Sequence, residues 1–101
     1  GALREAVEQY TRAVVLRPRF VDIRNKLARC LVELGDVDAA VEELRRVLEV
    51  NPAFVAARAN LGLALQRRGE SGRARAEWQR CLEQQPENAQ VQAYLTLLER
   101  S

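Results

Sequence analysis

The chain has 101 residues, a length typical of one domain that withdraws about two-thirds of its unfolded surface from water. Its formal net charge is only +2, and acidic residues alternate with basic ones, which argues against a nucleic-acid partner. The sequence has no histidine, which removes the commonest general base and the commonest zinc ligand, so we expect no metal and no cofactor.

The composition also indicates the source of the chain and the compartment in which it is expected. It begins with glycine and contains no methionine, which indicates a fragment of a longer protein. No apolar stretch is long enough for a membrane span, so we expect a soluble chain without membrane insertion, with the cytoplasm as the favoured compartment. The bias toward arginine, alanine and valine favours a bacterial source. Cys30 and Cys81 lie far apart within apolar patterns, which is typical of buried free thiols.

Apolar residues recur every three or four positions through most of the chain, which is the period of an amphipathic helix. Three prolines mark helix ends, because proline lacks a backbone donor and disfavours helical geometry in the residue before it. The six predicted helices cover, in chain order, residues 2–16, 21–34, 37–50, 55–68, 71–84 and 89–100.

The residues between these helices predict how the helices end and begin. Gly35 and Gly69 suit the left-handed backbone that closes a helix. Asp36, Ser71 and Asn88 are predicted to cap the following helices by accepting backbone N–H bonds. Glycine followed within two residues by a capping residue is typical of a tight connection between two antiparallel helices.

The strongest signal in the sequence is self-similarity at one fixed interval. Pro18, Pro52 and Pro86 stand 34 residues apart, and the same interval separates Gly1, Gly35 and Gly69. The segments around the prolines also match, since Pro18, Phe20, Val21 and Arg24 recur as Pro52, Phe54, Val55 and Arg58. The chain is therefore built from repeats of one unit, a helical hairpin.

These residues resemble the tetratricopeptide repeat, whose pattern runs W-x2-L-G-x2-Y, then A-x3-F, then P over 34 residues. One unit reads Arg24-x2-Leu27-Ala28-x2-Leu31, Ala40-x3-Leu44, Pro52, and the next reads Arg58-x2-Leu61-Gly62-x2-Leu65, Ala74-x3-Trp78, Pro86. Arginine replaces the tryptophan of the pattern in both units. The small residues predict close helix approach, and Trp78 is predicted to fill the core.

The resemblance implies an all-α fold, a right-handed α-solenoid of antiparallel helix hairpins in a single domain spanning residues 1–101. Residues 1–18 would form the second half of a truncated repeat, and residues 21–54 and 55–88 would form full repeats. Residues 89–101 would form a C-terminal capping helix or the start of a truncated repeat.

The resemblance also implies a non-catalytic protein interaction module that binds a peptide or helix segment in a concave groove lined by the first helix of each hairpin. Asn60 matches the asparagine that many family members use to hydrogen-bond a peptide backbone. Lys26, Arg29 and Arg67 are placed to meet acidic groups of the partner. The candidate partner-binding residues are Asn25, Lys26, Arg29, Asn60, Leu63, Arg67 and Tyr94.

Several alternatives stay open at this point. Asn60 and the arginines could be ordinary polar residues of an exposed helix face. The chain could self-assemble as a scaffold through its cut ends. At the N-terminal end the residues that would lack a covering helix are Leu3, Val7, Tyr10 and Val14. The chain could also regulate an enzyme elsewhere in the parent chain. Capture of a chaperone C-terminal carboxylate is disfavoured, because only Asn60 agrees among the five matching places, which hold Asn25, Arg29, Asn60, Gln90 and Tyr94.

Overall fold

The computed structural model describes residues 1–100 and contains six α-helices, with no strand in that range. They are α1 (Ala2–Leu16), α2 (Val21–Leu34), α3 (Val37–Val50), α4 (Val55–Arg67), α5 (Ser71–Gln84) and α6 (Ala89–Glu99). The predicted helix bounds differ from these only at the ends of α4 and α6. Each helix packs against the next along the chain, and α2 also packs against α4, so the hairpins lie side by side as an α-solenoid.

Helix α4 lies at the centre of this arrangement, in contact with α2, α3 and α5. Its central turns, residues 59–65, are buried on every side, whereas the other helices bury mainly one stripe. Small residues make this possible, because Ala57, Gly62 and Ala64 let neighbouring helices approach the α4 backbone closely. A helix that is apolar nearly all round is the expected core of a stack of hairpins.

The connections between the paired helices follow the predicted glycines. Gly35 and Gly69 adopt φ values of 89° and 85°, the left-handed region that glycine occupies without a steric penalty. The N–H of Asp36 donates to Leu31 O at 2.9 Å, and the N–H of Glu70 donates to Leu65 O at 2.9 Å. Each of these bonds satisfies a carbonyl that the helix end would otherwise leave unpaired.

The predicted N-caps are only partly confirmed. The side chain of Asn88 caps α6 by accepting from Val91 N at 3.1 Å. Asp36 occupies the N-cap position of α3 without a capping bond, and Ser71 lies one residue inside α5, where Glu70 holds the cap position. The backbone explains the difference, because the ψ angles of Asp36 and Glu70 are 68° and 63°, whereas that of Asn88 is 98° and extended. An extended cap residue is the geometry that turns the side chain back onto the helix.

The arginines that replace the tryptophan of the repeat form a polar clamp in each hairpin. Arg58 donates to Pro52 O at 3.0 Å and to Glu77 Oε1 at 2.8 Å. Arg24 makes the same two contacts one unit earlier, to Pro18 O and to Glu43 Oε1. The clamp therefore ties the turn before a first helix to the second helix of the same hairpin.

The last unit retains one of the two clamp contacts, the one to the proline carbonyl. Gln92 occupies the register position of Arg24 and Arg58, and its Nε2 donates to Pro86 O at 2.8 Å. The turn carbonyl before α6 is thus held in the same way, by an amide in place of a guanidinium. The turn before α6 therefore makes the same kind of contact as the turns before α2 and α4.

Trp78 is buried as predicted, with only 1% of its surface exposed. Its Nε1 donates to Ala59 O at 3.0 Å, so the polar end of the indole is satisfied inside the core. Gly62 lies directly under the ring, since a Cβ built on it would stand 2.3 Å from Nε1. Glycine at position 62 is therefore required by the tryptophan of the facing helix.

We predict that Gly62→Ala destabilises the fold by about 1 to 3 kcal/mol, because the new methyl group displaces the indole and overpacks the core. Gly72→Ala is the matched control, since a Cβ there meets nothing within 4 Å. That change should be neutral or stabilise the helix by about 0.5 kcal/mol. Urea unfolding followed by Trp78 fluorescence measures both, and equal effects of the two substitutions would contradict the packing described.

A double-mutant cycle tests the clamp. Arg58 and Glu77 have side chains only 13% and 20% exposed, so alanine substitutions of both should show a coupling of about 1 to 3 kcal/mol. The exposed pair Arg46–Glu42 is the control, with an expected coupling below about 0.5 kcal/mol. Chemical unfolding of the single and double variants gives both values, and a coupling at Arg58–Glu77 no larger than that of the control would rule out the clamp.

Candidate functional site

The residues predicted to bind a partner lie on the first helices of the hairpins, α2, α4 and α6. We call the surface formed by these three helices the first-helix face. Lys26, Asn60 and Tyr94 occupy one equivalent register position on it, and Arg29 and Leu63 share another. The contact between α2 and α4 brings the predicted residues of these two helices together.

Three of the predicted residues form one hydrogen-bonded network across the α2–α4 seam. Asn60 Nδ2 donates to Asn25 Oδ1 at 2.9 Å, and Arg29 Nη1 donates to Asn60 Oδ1 at 3.2 Å. The amide of Asn60 is therefore engaged through both its donor and its acceptor. The sequence contains a signal for this pair, because Asn25 and Asn60 are separated by one repeat plus one residue.

The sequence placed Asn60 and Leu63 on an open helix face, and the structure buries both to 8% exposure. Packing of α2 directly against α4 is the reason, because it closes the seam in which these residues lie. Their neighbour Ala59 is also buried, at 4% exposure. Asn60 thus serves the fold by bridging two hairpins.

The basic residues at the α2 side of the face are more open. Lys26 is exposed and has no hydrogen-bond or ion-pair partner within residues 1–100. Arg67 is exposed, and its Nη1 donates to Val32 O at 3.4 Å without meeting a carboxylate in the described part of the chain. Arg29 is half exposed and lies 3.5 Å from Glu33 Oε1. Lys26 and Arg67 therefore keep their positive charges available to a partner.

The α6 side of the face is apolar. Tyr94 is half buried and its ring packs against Trp78, with centroids 5.2 Å apart and planes inclined by 34°. Leu97 is 61% exposed, while Val91 and Leu98 of the same helix are buried in the core. The first-helix face thus changes from cationic at α2 to aromatic and aliphatic at α6.

The end of the solenoid formed by α1 differs from the expectation. Val14 is buried, and Val7 and Tyr10 pack against the core, because α2 covers this side of α1. The exposed apolar residues are instead Val15 and Leu16, which line a shallow cavity of about 350 Å³ with Thr11 and Arg12. The apolar surface at this end therefore lies at the C-terminal turn of α1.

The two cysteines carry no sign of a reactive or metal-binding role. Cys81 is fully buried, and desolvation raises the pKa of its thiol to about 11. Cys30 is half buried, and burial together with the nearby Glu33 carboxylate raises the pKa of its thiol above the usual value. No group of three or more histidine, cysteine, aspartate or glutamate side chains that could hold a metal occurs within residues 1–100. None of the helices in the described part has the length and apolar character needed to cross a bilayer.

Comparison with known structures finds the same fold in several TPR domains. The chain is 21% identical to YrrB, described as a TPR protein with an unusual peptide-binding site, with a TM-score of 0.89 over 93% of this chain and 48% of YrrB. It is 20% identical to the first TPR of Spaghetti (RPAP3) bound to the HSP90 peptide SRMEEVD, with a TM-score of 0.91 over 99% of this chain and 79% of that one. The chain thus spans about half the length of YrrB.

A second domain of the same kind is equally similar. The first TPR domain of human RPAP3 shares 19% identity, with a TM-score of 0.91 over 97% of this chain and 77% of that domain. No curated protein matches the sequence. Two family profiles described as tetratricopeptide repeat match the chain, one over residues 1–53 and the other over residues 31–89. With these profile matches and a helical hairpin that recurs at a 34-residue interval, the chain belongs to the tetratricopeptide-repeat family.

Proposed function

We propose that this chain is a non-catalytic protein interaction module that holds a segment of a partner protein along its first-helix face, acting as the concave groove. The observation that carries the proposal is the composition of that face. Lys26 and Arg67 are cations without a carboxylate partner in residues 1–100, while Tyr94 and Leu97 offer apolar surface at the far side. A surface that exposes cationic and apolar groups side by side is typical of a binding site for another protein.

The same composition defines the partner segment. It carries acidic side chains where it crosses α2 and bulky apolar side chains where it reaches α6. The hydrogen-bonded network of Asn25, Arg29 and Asn60 lies between these two parts and supports them, because it fixes the spacing of α2 and α4. The similar domains with bound HSP90 and HSP70 peptides lend further support, since both peptides combine acidic residues with valine.

Chaperone-tail capture itself remains disfavoured. Of the five matching places, the three that are basic in chaperone-binding members of the family hold Asn25, Gln90 and Tyr94 here, which carry no positive charge. Lys26 and Arg67, which have no carboxylate partner within residues 1–100, lie elsewhere on the first-helix face. We therefore propose an internal acidic and apolar segment as the ligand.

The proposal predicts that Lys26→Glu combined with Arg67→Glu weakens partner binding about tenfold or more, because two attractive charges become repulsive. Both side chains are exposed, so the thermal unfolding midpoint should change little. The partner segment is first located by a photo-crosslinking residue placed at position 26 and identified by mass spectrometry. A synthetic peptide of that segment is then titrated by calorimetry.

The matched control is Arg46→Glu combined with Arg75→Glu, which makes the same change in net charge on the second helices α3 and α5. This control should retain affinity within about twofold. Equal losses in both double variants would show that only net charge matters, and an unchanged affinity of the Lys26 and Arg67 variant would exclude the first-helix face. Asn60→Ala is a poor probe of binding, because removing a buried bridging amide destabilises the fold itself.

A further inference from the structure

A cavity of about 250 Å³ opens on the opposite side of the solenoid, between the second helices α3 and α5. We call it the arginine notch, and it is lined by Arg45, Leu61, Leu65, Arg73, Ala76 and Glu77. The two second helices each pack against α4, so the furrow between them has α4 as its floor. Leu61 and Leu65 form this floor, and Arg45 and Arg73 stand on either wall.

The charges around the notch leave one guanidinium without an acceptor. Glu77 is the only carboxylate in the lining, and it is already bonded to Arg58 at 2.8 Å. Arg73 lies 3.2 Å from Glu70, which Arg68 also contacts. Arg45 has no hydrogen-bond or ion-pair partner within residues 1–100. The notch thus combines an apolar floor with the guanidinium of Arg45, which no carboxylate within residues 1–100 neutralises.

The preceding unit of the same repeat provides an internal comparison. Its register positions keep the leucine floor, as Leu27 and Leu31, and keep the clamp carboxylate, as Glu43. The wall positions differ, because Arg45, Arg73 and Ala76 correspond to Thr11, Ala39 and Glu42. Within this lining, the differences between the two units therefore fall at the three wall positions, which make the notch basic and open.

We propose that the arginine notch binds the side-chain carboxylate of a glutamate or aspartate in a partner protein, at a site separate from the first-helix face. The guanidinium of Arg45 donates to the carboxylate and Arg73 adds a second donor group from the other wall. The aliphatic stem of the acidic side chain lies on Leu61 and Leu65. Ala76 provides the space that a larger residue would fill.

The test titrates the ¹⁵N-labelled protein with a capped peptide containing a Glu-Leu-Glu core and, separately, with its Gln-Leu-Gln counterpart. The glutamate peptide should shift the backbone amides of residues 45, 73 and 76, and the glutamine peptide should not. Arg45→Gln combined with Arg73→Gln should weaken binding about tenfold, whereas Arg46→Gln combined with Arg75→Gln, with the same net charge, should change it less than about twofold.

Position 76 gives a second test that leaves both arginines in place. Ala76→Glu installs the carboxylate that the preceding unit has as Glu42, and it should abolish peptide binding by occupying the guanidinium groups. Ala76→Gln is the control of equal size, and it should retain most of the affinity. Ala76 is exposed, so both variants should fold, which thermal unfolding confirms.

The outcomes separate the notch from the first-helix face. Shifts confined to residues 26, 60, 67 and 94 would overturn the notch and leave the groove proposal standing. Equal shifts with the glutamine peptide, or equal loss in the two arginine double variants, would also overturn it. Binding of a thymidylate decamer through Arg45 and Arg73, without binding of the glutamate peptide, would identify a nucleic-acid phosphate as the occupant and reject a protein carboxylate.

Discussion

The packing of α4 between its neighbours is the constraint on which the rest of the structure depends. A single hairpin cannot cover its own apolar face, so each unit is stable only when the next one is laid against it. In this chain the small residues of α4 admit α2, α3 and α5 to close contact, and Gly62 admits the indole of Trp78. The second hairpin therefore acts as both a folding unit and the cover of the first.

Both open surfaces follow from this central packing. On one side the contact of α2 with α4 closes a polar seam around Asn60 and leaves Lys26 and Arg67 exposed. On the other side α3 and α5 are held apart by α4, which leaves the arginine notch between them. The arginine clamps hold the paired helices of each hairpin in register, so the two surfaces are fixed relative to one another. The residues proposed to bind partners on these surfaces, Lys26, Arg67 and Arg45, are thus ones that the core leaves exposed.

Much of the fold could be predicted because the repeat reports it several times. The helix bounds, the left-handed glycines and the burial of Trp78 each follow from local periodicity read in a 34-residue register. The burial of Asn60 and Leu63 could not be predicted in this way, because it depends on how closely two helices of different hairpins approach. The caps at Asp36 and Ser71 were predicted wrongly for a similar reason, since residue type favours a cap but the backbone ψ angle decides whether the side chain reaches it. The clamp could be predicted from the sequence, because the pair Arg24 and Glu43 recurs one repeat later as Arg58 and Glu77.

Native-state hydrogen exchange measures the central constraint most directly. If α4 is the common core of both hairpins, the amides of residues 61–65 exchange only through global unfolding and are the slowest in the chain. The amides of α1 and α6, which each pack against one neighbouring helix, then exchange faster through local opening. Exchange of α4 as fast as that of α6, or persistent protection of α2 and α3 after α4 and α5 have opened, would contradict this account.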